Sequence, residues 1–317
     1  MKKYTILGNN DTRSGFGEGL IEAGRKNSNV VALCADLTES VKMTAFKKEF
    51  PERFFQTGIA EANMIGLAAG MALSGKIPFA SSFAAFATGR VYDQIRQAVA
   101  YSNTNVKICA SHAGLTLGED GATHQILEDL GLMRMMPNMI VINPCDFNQT
   151  KQATLAIAEY EGPVYLRFGR PKVPIFISED TPFEIGKAIM LNEGKDVTII
   201  ATGHLVWEAI VAGEMLAEQG IDAEIINIHT IKPLDNEAIL KSVAKTGCVV
   251  SCEEHQYNGG LNDAVAQLLA RNNPKPMEFI GVDDSFGESG TPDELMVKYG
   301  LKADNIVEAV KKAISRK

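Results

Sequence analysis

The sequence predicts an α/β protein made of two three-layer α/β/α domains with mainly parallel sheets. Short apolar runs alternate with helix-period segments along the whole chain, which is the pattern of parallel strands joined by crossover helices. The runs are apolar on both faces, as strands buried beneath helices must be. A length of 317 residues accommodates two such cores.

In the first half the strands are VVALCAD (30–36), KIPFASSF (76–83), VKICAS (106–111), MIVINP (139–144) and PVYLRF (163–168). Helices fill the gaps, most clearly AEANMIGLAAGMALSG, GRVYDQIRQAVAYSN and NQTKQATLAIAEYEG. The alternation then breaks in a stretch with Pro171, Pro174, Pro182 and scattered charge. The expected boundaries are a first domain at 1–175, a linker at 176–195 and a second, smaller domain at 196–317. That second domain reads as VTIIATG, a helix through VWEAIVAGEMLAEQG, AEIINIH, a helix after KPLD, CVVSCEE, a helix through GLNDAVAQLLARN, and MEFIGVDD. KKAISRK reads as the polar end of a last helix.

A formal charge of -8 with no run of Lys or Arg argues against a nucleic-acid surface. The basic start MKKYTILGNNDTRSG lacks the apolar segment of a signal peptide, and ANMIGLAAGMALSG is too short and Gly-rich to span a bilayer. Cys34, Cys109, Cys145, Cys248 and Cys252 are odd in number, and most sit in apolar runs where a reduced Cys packs as a small core residue. A single C-x3-C without a His pair does not make a zinc site. A cytoplasmic location is expected.

Chemistry concentrates in SHAGLTLGEDGATHQ, residues 111–125, where two histidines and two adjacent acids surround three glycines just after an apolar run. Glycines let backbone approach a ligand, and imidazole moves protons near neutral pH. The alternative is a surface turn in which Thr123 or Asp120 caps a helix beginning near His124. Arg13, residues 36–40, residues 58–61, Phe83 with Phe86, and Arg170 also fall at strand ends or helix starts, where open α/β sheets place ligands. Glu61 opens a helix otherwise almost without charge. It reads either as a complement to the helix dipole or as a buried acid that a ligand uses. Arg13 and Arg170, taken alone, read as surface residues.

DLTES, GIAEANM, SFAAF, SHAGLTLGEDGATHQ and FGRPKVP, in this order, resemble the pyrimidine-binding domain of transketolase, and HTIKPLD with EEHQYNGGL resembles its C-terminal domain. The resemblance covers essentially the whole chain. It implies thiamine diphosphate as cofactor, an electron sink for moving a two-carbon ketol unit. Glu61 then matches the glutamate that hydrogen-bonds N1' of the aminopyrimidine, in a dry site that raises its proton affinity. Phe83 and Phe86 match aromatic positions against the pyrimidine, though Phe83 also reads as ordinary core, and Asp36 and Leu37 stand with the cofactor-binding positions. His112, His124 and Asp120 match residues that hold sugar hydroxyls, with the histidines also passing protons. Arg13, Ser40 and Arg170 match a phosphate clamp. Glu119 is left a structural role or a place at the interface, and His255 a loop hydrogen bond in preference to a ligand contact.

Thiamine enzymes hold the diphosphate through Mg2+ on a G-D-G motif followed by an Asn, and the chain contains no G-D-G. The resemblance is therefore to the C-terminal section of a split transketolase. It implies no metal ligand here, an N-terminal-section partner of about 270 residues holding Mg2+ and the diphosphate, and an α2β2 heterotetramer. Deoxyxylulose-phosphate synthase is similar but carries Arg in place of His112. The beta subunits of 2-oxo-acid dehydrogenases share the missing half but lack the paired histidines. A non-catalytic partner of a thiamine enzyme is a further alternative, weakened by retention of the full residue set. Gly89 stands where single-chain transketolases carry an aromatic residue, which leaves the sugar phosphates handled open.

Overall fold

A strand without a polar side must be covered twice, and the central strands of this computed structural model, which describes residues 3–317, are buried along their whole length. In chain order the strands are β1 (Gly8–Asp11), β2 (Val30–Cys34), β3 (Phe54–Gln56), β4 (Ile77–Phe83), β5 (Lys107–Ser111), β6 (Ile140–Ile142) and β7 (Val164–Arg167). They continue as β8 (Lys172–Ile175), β9 (Ile189–Asn192), β10 (Val197–Ala201), β11 (Ala223–Asn227), β12 (Thr230–Lys232), β13 (Val249–Gln256) and β14 (Met277–Val282). One sheet runs β12-β6-β7-β5-β4-β2-β3 and another β14-β13-β10-β11-β9. Each is parallel except at one edge: β12 lies antiparallel to β6, and β9 antiparallel to β11. These are the mainly parallel sheets expected of two α/β/α domains.

Four features differ from the sequence reading. Residues 176–195, read as a linker, are structured in part. Phe176 and Ile177 donate their N–H groups to the buried Asp146 carboxylate at 3.0 and 2.8 Å, and Ile189–Asn192 pairs into the second sheet. The IMLN run was hidden by its brevity between flanking polar and proline-rich residues. β12, from the expected second domain, completes the first sheet. The segment 89–103, read as one helix, is broken into a 3-10 turn at Gly89–Val91, a short α turn at Tyr92–Gln94 and a wide π turn at Ile95–Tyr101. Gly89 is a poor helix former at the very start, and the preceding Thr88 hydroxyl bonds back to Ala84 O at 2.6 Å. The helix expected near His124 begins only at Asp129, so neither Asp120 nor Thr123 caps it.

The two sheets share a core. One apolar cluster contains Ile65, Leu130 and Met133 beside Ile226, Val243 and Val265 from beyond the linker. A polar knot crosses the same junction. Arg167 at the end of β7 donates through Nε to Asp129 Oδ2 at 2.7 Å and through Nη2 to the Glu254 carbonyl of β13 at 2.8 Å, while the Tyr165 hydroxyl donates to Asp129 at 2.6 Å. Asp129 is fully buried, so its charge depends on these donors. Replacing Arg167 with Leu should cost about 3–5 kcal/mol, seen as a lower urea midpoint with an unchanged m value. A loss below about 1 kcal/mol would show that the knot does not hold the junction.

Candidate active site

Pairing of β1 with β8 sets Asp11 opposite Lys172 and so brings the start of the helix Thr12–Lys26 against Arg170. The Thr12 hydroxyl fastens this contact, accepting from Gly169 N–H at 3.0 Å. Arg13, in the first helical turn, is half-buried rather than a surface residue. Its Nη2 donates to Arg170 O at 3.2 Å, its Nη1 to Ser40 O at 3.1 Å, and its Nε lies 3.4 Å from Asp11. Through Ser40 it reaches the 36–40 loop. That loop is latched by Asp36 N–H donating to Gln56 Oε1 at 2.7 Å, with the Asp36 side chain exposed. Leu37 packs on the apolar cluster that contains Phe83 and Phe16.

His112 follows β5 directly, in the left-handed conformation with φ 58. Its ring lies on Phe83, centroids 3.8 Å apart and planes at 26°. Nδ1 is 2.7 Å from Ser111 Oγ and Nε2 is 3.4 Å from Arg13 Nη1. A guanidinium only donates, so Nε2 is the acceptor and the ring proton sits on Nδ1, donated to Ser111. Burial pushes the His112 pKa down to about 3, reinforced by the charges of Arg13, Arg170 and Lys42. His112 is therefore a neutral imidazole.

The loop beyond it is seated on the other sheet. Thr116 N–H donates to the buried Glu254 carboxylate at 2.7 Å, and Gly114, at φ 81, leaves room that any Cβ would take from that same carboxylate. Gln125 Nε2 closes the loop by donating to Leu115 O at 3.1 Å and Glu288 O at 3.0 Å. His124 meets the Phe86 ring edge-on at 5.4 Å, and its Nδ1 is 2.9 Å from Thr123 Oγ1. Asp120 is exposed on the same loop. Glu119 pairs with Arg170 Nη1 at 2.6 Å, and that nitrogen also donates to Leu117 O at 2.6 Å. His255 is buried between Gly131 N–H at 3.2 Å and Gln256 O at 2.9 Å, a loop-holding role.

Phe83 and Phe86 lie nearly parallel, 5.9 Å apart. The Arg90 guanidinium covers Phe86 at 4.0 Å and donates to Glu61 Oε1 at 2.9 Å. Glu61 is 4% exposed at the start of the helix Glu61–Leu73. Glu61, Arg90, Phe86, Phe83, His112, Arg13, Ser40 and Arg170 thus form one continuous line of contacts, which His124 joins at Phe86. The side chains of Asp36 and Asp120 stand outside it. Sequence reasoning did not single out Arg90, Ser111 or Lys42. Arg90 meets an acid far back in the chain, which no local spacing announces.

One face of the apolar helix 61–73 is open. Ala62, Asn63, Gly66, Leu67 and Gly70 are exposed, and Leu73 and the neighbouring Ile59 are each 78% exposed. Among the described residues no group of three His, Cys, Asp or Glu side chains is arranged to hold a metal ion, and no helix is long and apolar enough to cross a membrane.

Residues 9–175 match the family model of the transketolase pyrimidine-binding domain, and residues 186–306 that of the transketolase C-terminal domain. The chain belongs to the transketolase family. It is 52% identical over 301 residues, 94% of each chain, to a protein of Methanocaldococcus jannaschii described provisionally as a transketolase C-terminal section. It is 46% identical over 305 residues, 96% of this chain and 95% of the other, to a 6-deoxy-6-sulfo-D-fructose transketolase subunit of Clostridium sp. strain MSTE9. A solved split-gene transketolase, an inactive beta4 tetramer, superimposes with a TM-score of 0.92 at 48% identity, covering 97% of this chain and 99% of the other.

The environment of His112 gives a pH test. Its folded pKa lies below the unfolded value of about 6.5, so between those values the unfolded chain binds a proton that the folded chain does not. Its contribution to stability is full above the unfolded pKa and falls as pH drops towards 3. Site-assigned imidazole NMR signals of His112 should keep the Nδ1–H tautomer from pH 7.5 to about 4.5. A titration of this ring near its ordinary pKa would refute the buried, cation-flanked environment.

Proposed function

We propose that this chain is one of the two kinds of subunit of a split transketolase, moving a two-carbon ketol unit from a ketose phosphate to an aldose phosphate with thiamine diphosphate. The observation that carries the reading is the unbroken line from the buried Glu61 carboxylate, along the Phe86 and Phe83 rings, to His112 and the two arginines. The residues fit an aminopyrimidine: a parallel aromatic pair offers a face for the ring, and a buried carboxylate stands at its edge. When bound, the cofactor supplies a nucleophilic carbon and the electron sink needed to break the C2–C3 bond of a ketose.

The chain's own residues divide the remaining work. Glu61 hydrogen-bonds N1' of the aminopyrimidine, a contact made as Arg90, half-exposed, gives up the carboxylate. Asp36 and Leu37 border the cofactor from the neighbouring loop. Neutral His112 accepts from a sugar hydroxyl through Nε2. His124, half-exposed on the edge of Phe86, holds a hydroxyl and moves a proton at the breaking bond, and Asp120 accepts from the C2 hydroxyl of the aldose. Arg13, the Ser40 hydroxyl and Arg170 hold the phosphate. The single Arg170 nitrogen spent on Leu117 and Glu119 leaves Nη2 and Nε for a bidentate grip.

The second subunit would hold the diphosphate and Mg2+ and cover the open face of helix 61–73, with α2β2 stoichiometry. That a solved split-gene neighbour is an inactive tetramer of beta subunits supports a site that one kind of subunit does not complete. The similarity to a subunit acting on a sulfonated fructose supports a sugar with a strongly acidic end as substrate. The purified chain, supplied with Mg2+ and thiamine diphosphate, should show no ketol transfer, and adding an N-terminal-section partner carrying G-D-G should create it. Robust turnover by the chain alone would overturn the split-site reading. In the reconstituted complex, Glu61→Ala should lower kcat by about 100-fold or more; full activity would remove Glu61 from the chemistry.

A further inference from the structure

Lys42 follows Ser40 by two residues and has no task in the site as described. Its backbone is left-handed, φ 61, an uncommon and strained conformation for a residue with a Cβ. The surroundings hold it there. Its N–H donates to Glu39 O at 3.0 Å, and the helix Thr12–Lys26 presses on it at Gly17, where an added Cβ would lie 2.6 Å from Lys42 O and 3.0 Å from Lys42 Cβ. Gly17 is one helical turn beyond Arg13, so the helix presents both positions on the same face. Lys42 therefore begins beside the face that carries Arg13, and its charge acts on His112 together with those of Arg13 and Arg170.

These three cations differ in their partners. Arg13 has Asp11 and Arg170 has Glu119, but Lys42 makes no ion pair among the described residues. A half-buried lysine held in a strained backbone against the helix that carries Arg13 is a positive charge in excess. Surface lysines need no such backbone. An excess cation at this end of the site matches a ligand that brings more than one negative charge.

We propose that Lys42 is a further specificity-determining residue, whose ammonium grips the tetrahedral oxyanion at the end of the sugar substrate beside Arg13 and Arg170. The inference rests on the ketol-transfer reading for the identity of the sugar, but not for the binding of the anion. Lys42 acts as a point charge, without the fork geometry of arginine, so it reads total charge more than shape. A phosphate dianion should depend on it more than a sulfonate monoanion does.

The test uses Lys42→Asn, since Asn is neutral and tolerates the left-handed conformation, with Lys42→Arg as the charge-keeping control. In the reconstituted complex, the ratio of kcat/KM for fructose 6-phosphate over fructose should fall about tenfold in Lys42→Asn, mostly through KM, and be largely kept in Lys42→Arg. With 6-deoxy-6-sulfofructose the fall should be smaller. In parallel, inorganic phosphate is titrated against the full chain by NMR, which needs no turnover. Weaker phosphate binding by Lys42→Asn, together with a reconstituted complex that shows no ketol transfer, would sink the proposed reaction and leave this inference standing. Equal phosphate binding by wild type and Lys42→Asn, or an unchanged substrate ratio in an active complex, would overturn it.

Discussion

The site depends on a carboxylate that lies outside the sheet bearing it. Glu254, on β13, is buried at the junction of the two sheets, and it accepts the N–H of Thr116 from the loop that carries His112 and His124. A buried acid is costly unless donors surround it. Here Thr116 N–H comes from the loop, His204 Nδ1 lies 3.5 Å from the carboxylate and the charge of Arg167 lies close by, while the Glu254 carbonyl takes a hydrogen bond from that same arginine. Loop, β7 and β13 therefore fix one another. Gly114 allows the close approach, and the second domain, which contributes no residue to the line from Glu61 to Arg170, sets where the loop with His112 and His124 stands.

Charge is then distributed with little waste. The end of the site near Arg13 and Arg170 gathers cations around an imidazole that burial keeps neutral, so a hydrogen-bond acceptor survives in a field that would suit an anion. The opposite end is apolar, with Glu61 and Arg90 pairing across the rim of Phe86. Such a gradient orients a molecule that is acidic at one end and aromatic or neutral at the other. It also explains why the two histidines are not equivalent. One is locked between Ser111 and Arg13, while the other stands half-exposed on a ring edge with its Nδ1 towards the Thr123 hydroxyl.

Much of this was legible in the sequence, and the reason is physical. Strands such as VVALC and VTIIA are continuous apolar runs because helices cover both faces, and that signal is local. β1, β3, β8, β9 and β12 are short, and their stability comes from distant partners, so no local pattern marks them. The same division applies to the site. Glu61, the two Phe residues, the histidines and the arginines stand in motifs whose order is readable. Arg90 and Lys42 gain meaning only from folding, one by meeting Glu61 and the other by being pressed against Gly17. The open face of helix 61–73 was not legible, because composition shows apolarity but not which face finds a neighbour.

β12 carries a consequence for how this chain can be divided. It leaves the second half of the sequence to become the outermost strand of the first sheet, antiparallel to β6. Cutting the chain between the halves would strip that strand and leave β6 as a raw edge, inviting foreign strands to add to it. The halves are thus two units by sequence but not two interchangeable modules. Swapping a second half between relatives would transplant part of the first one's architecture with it.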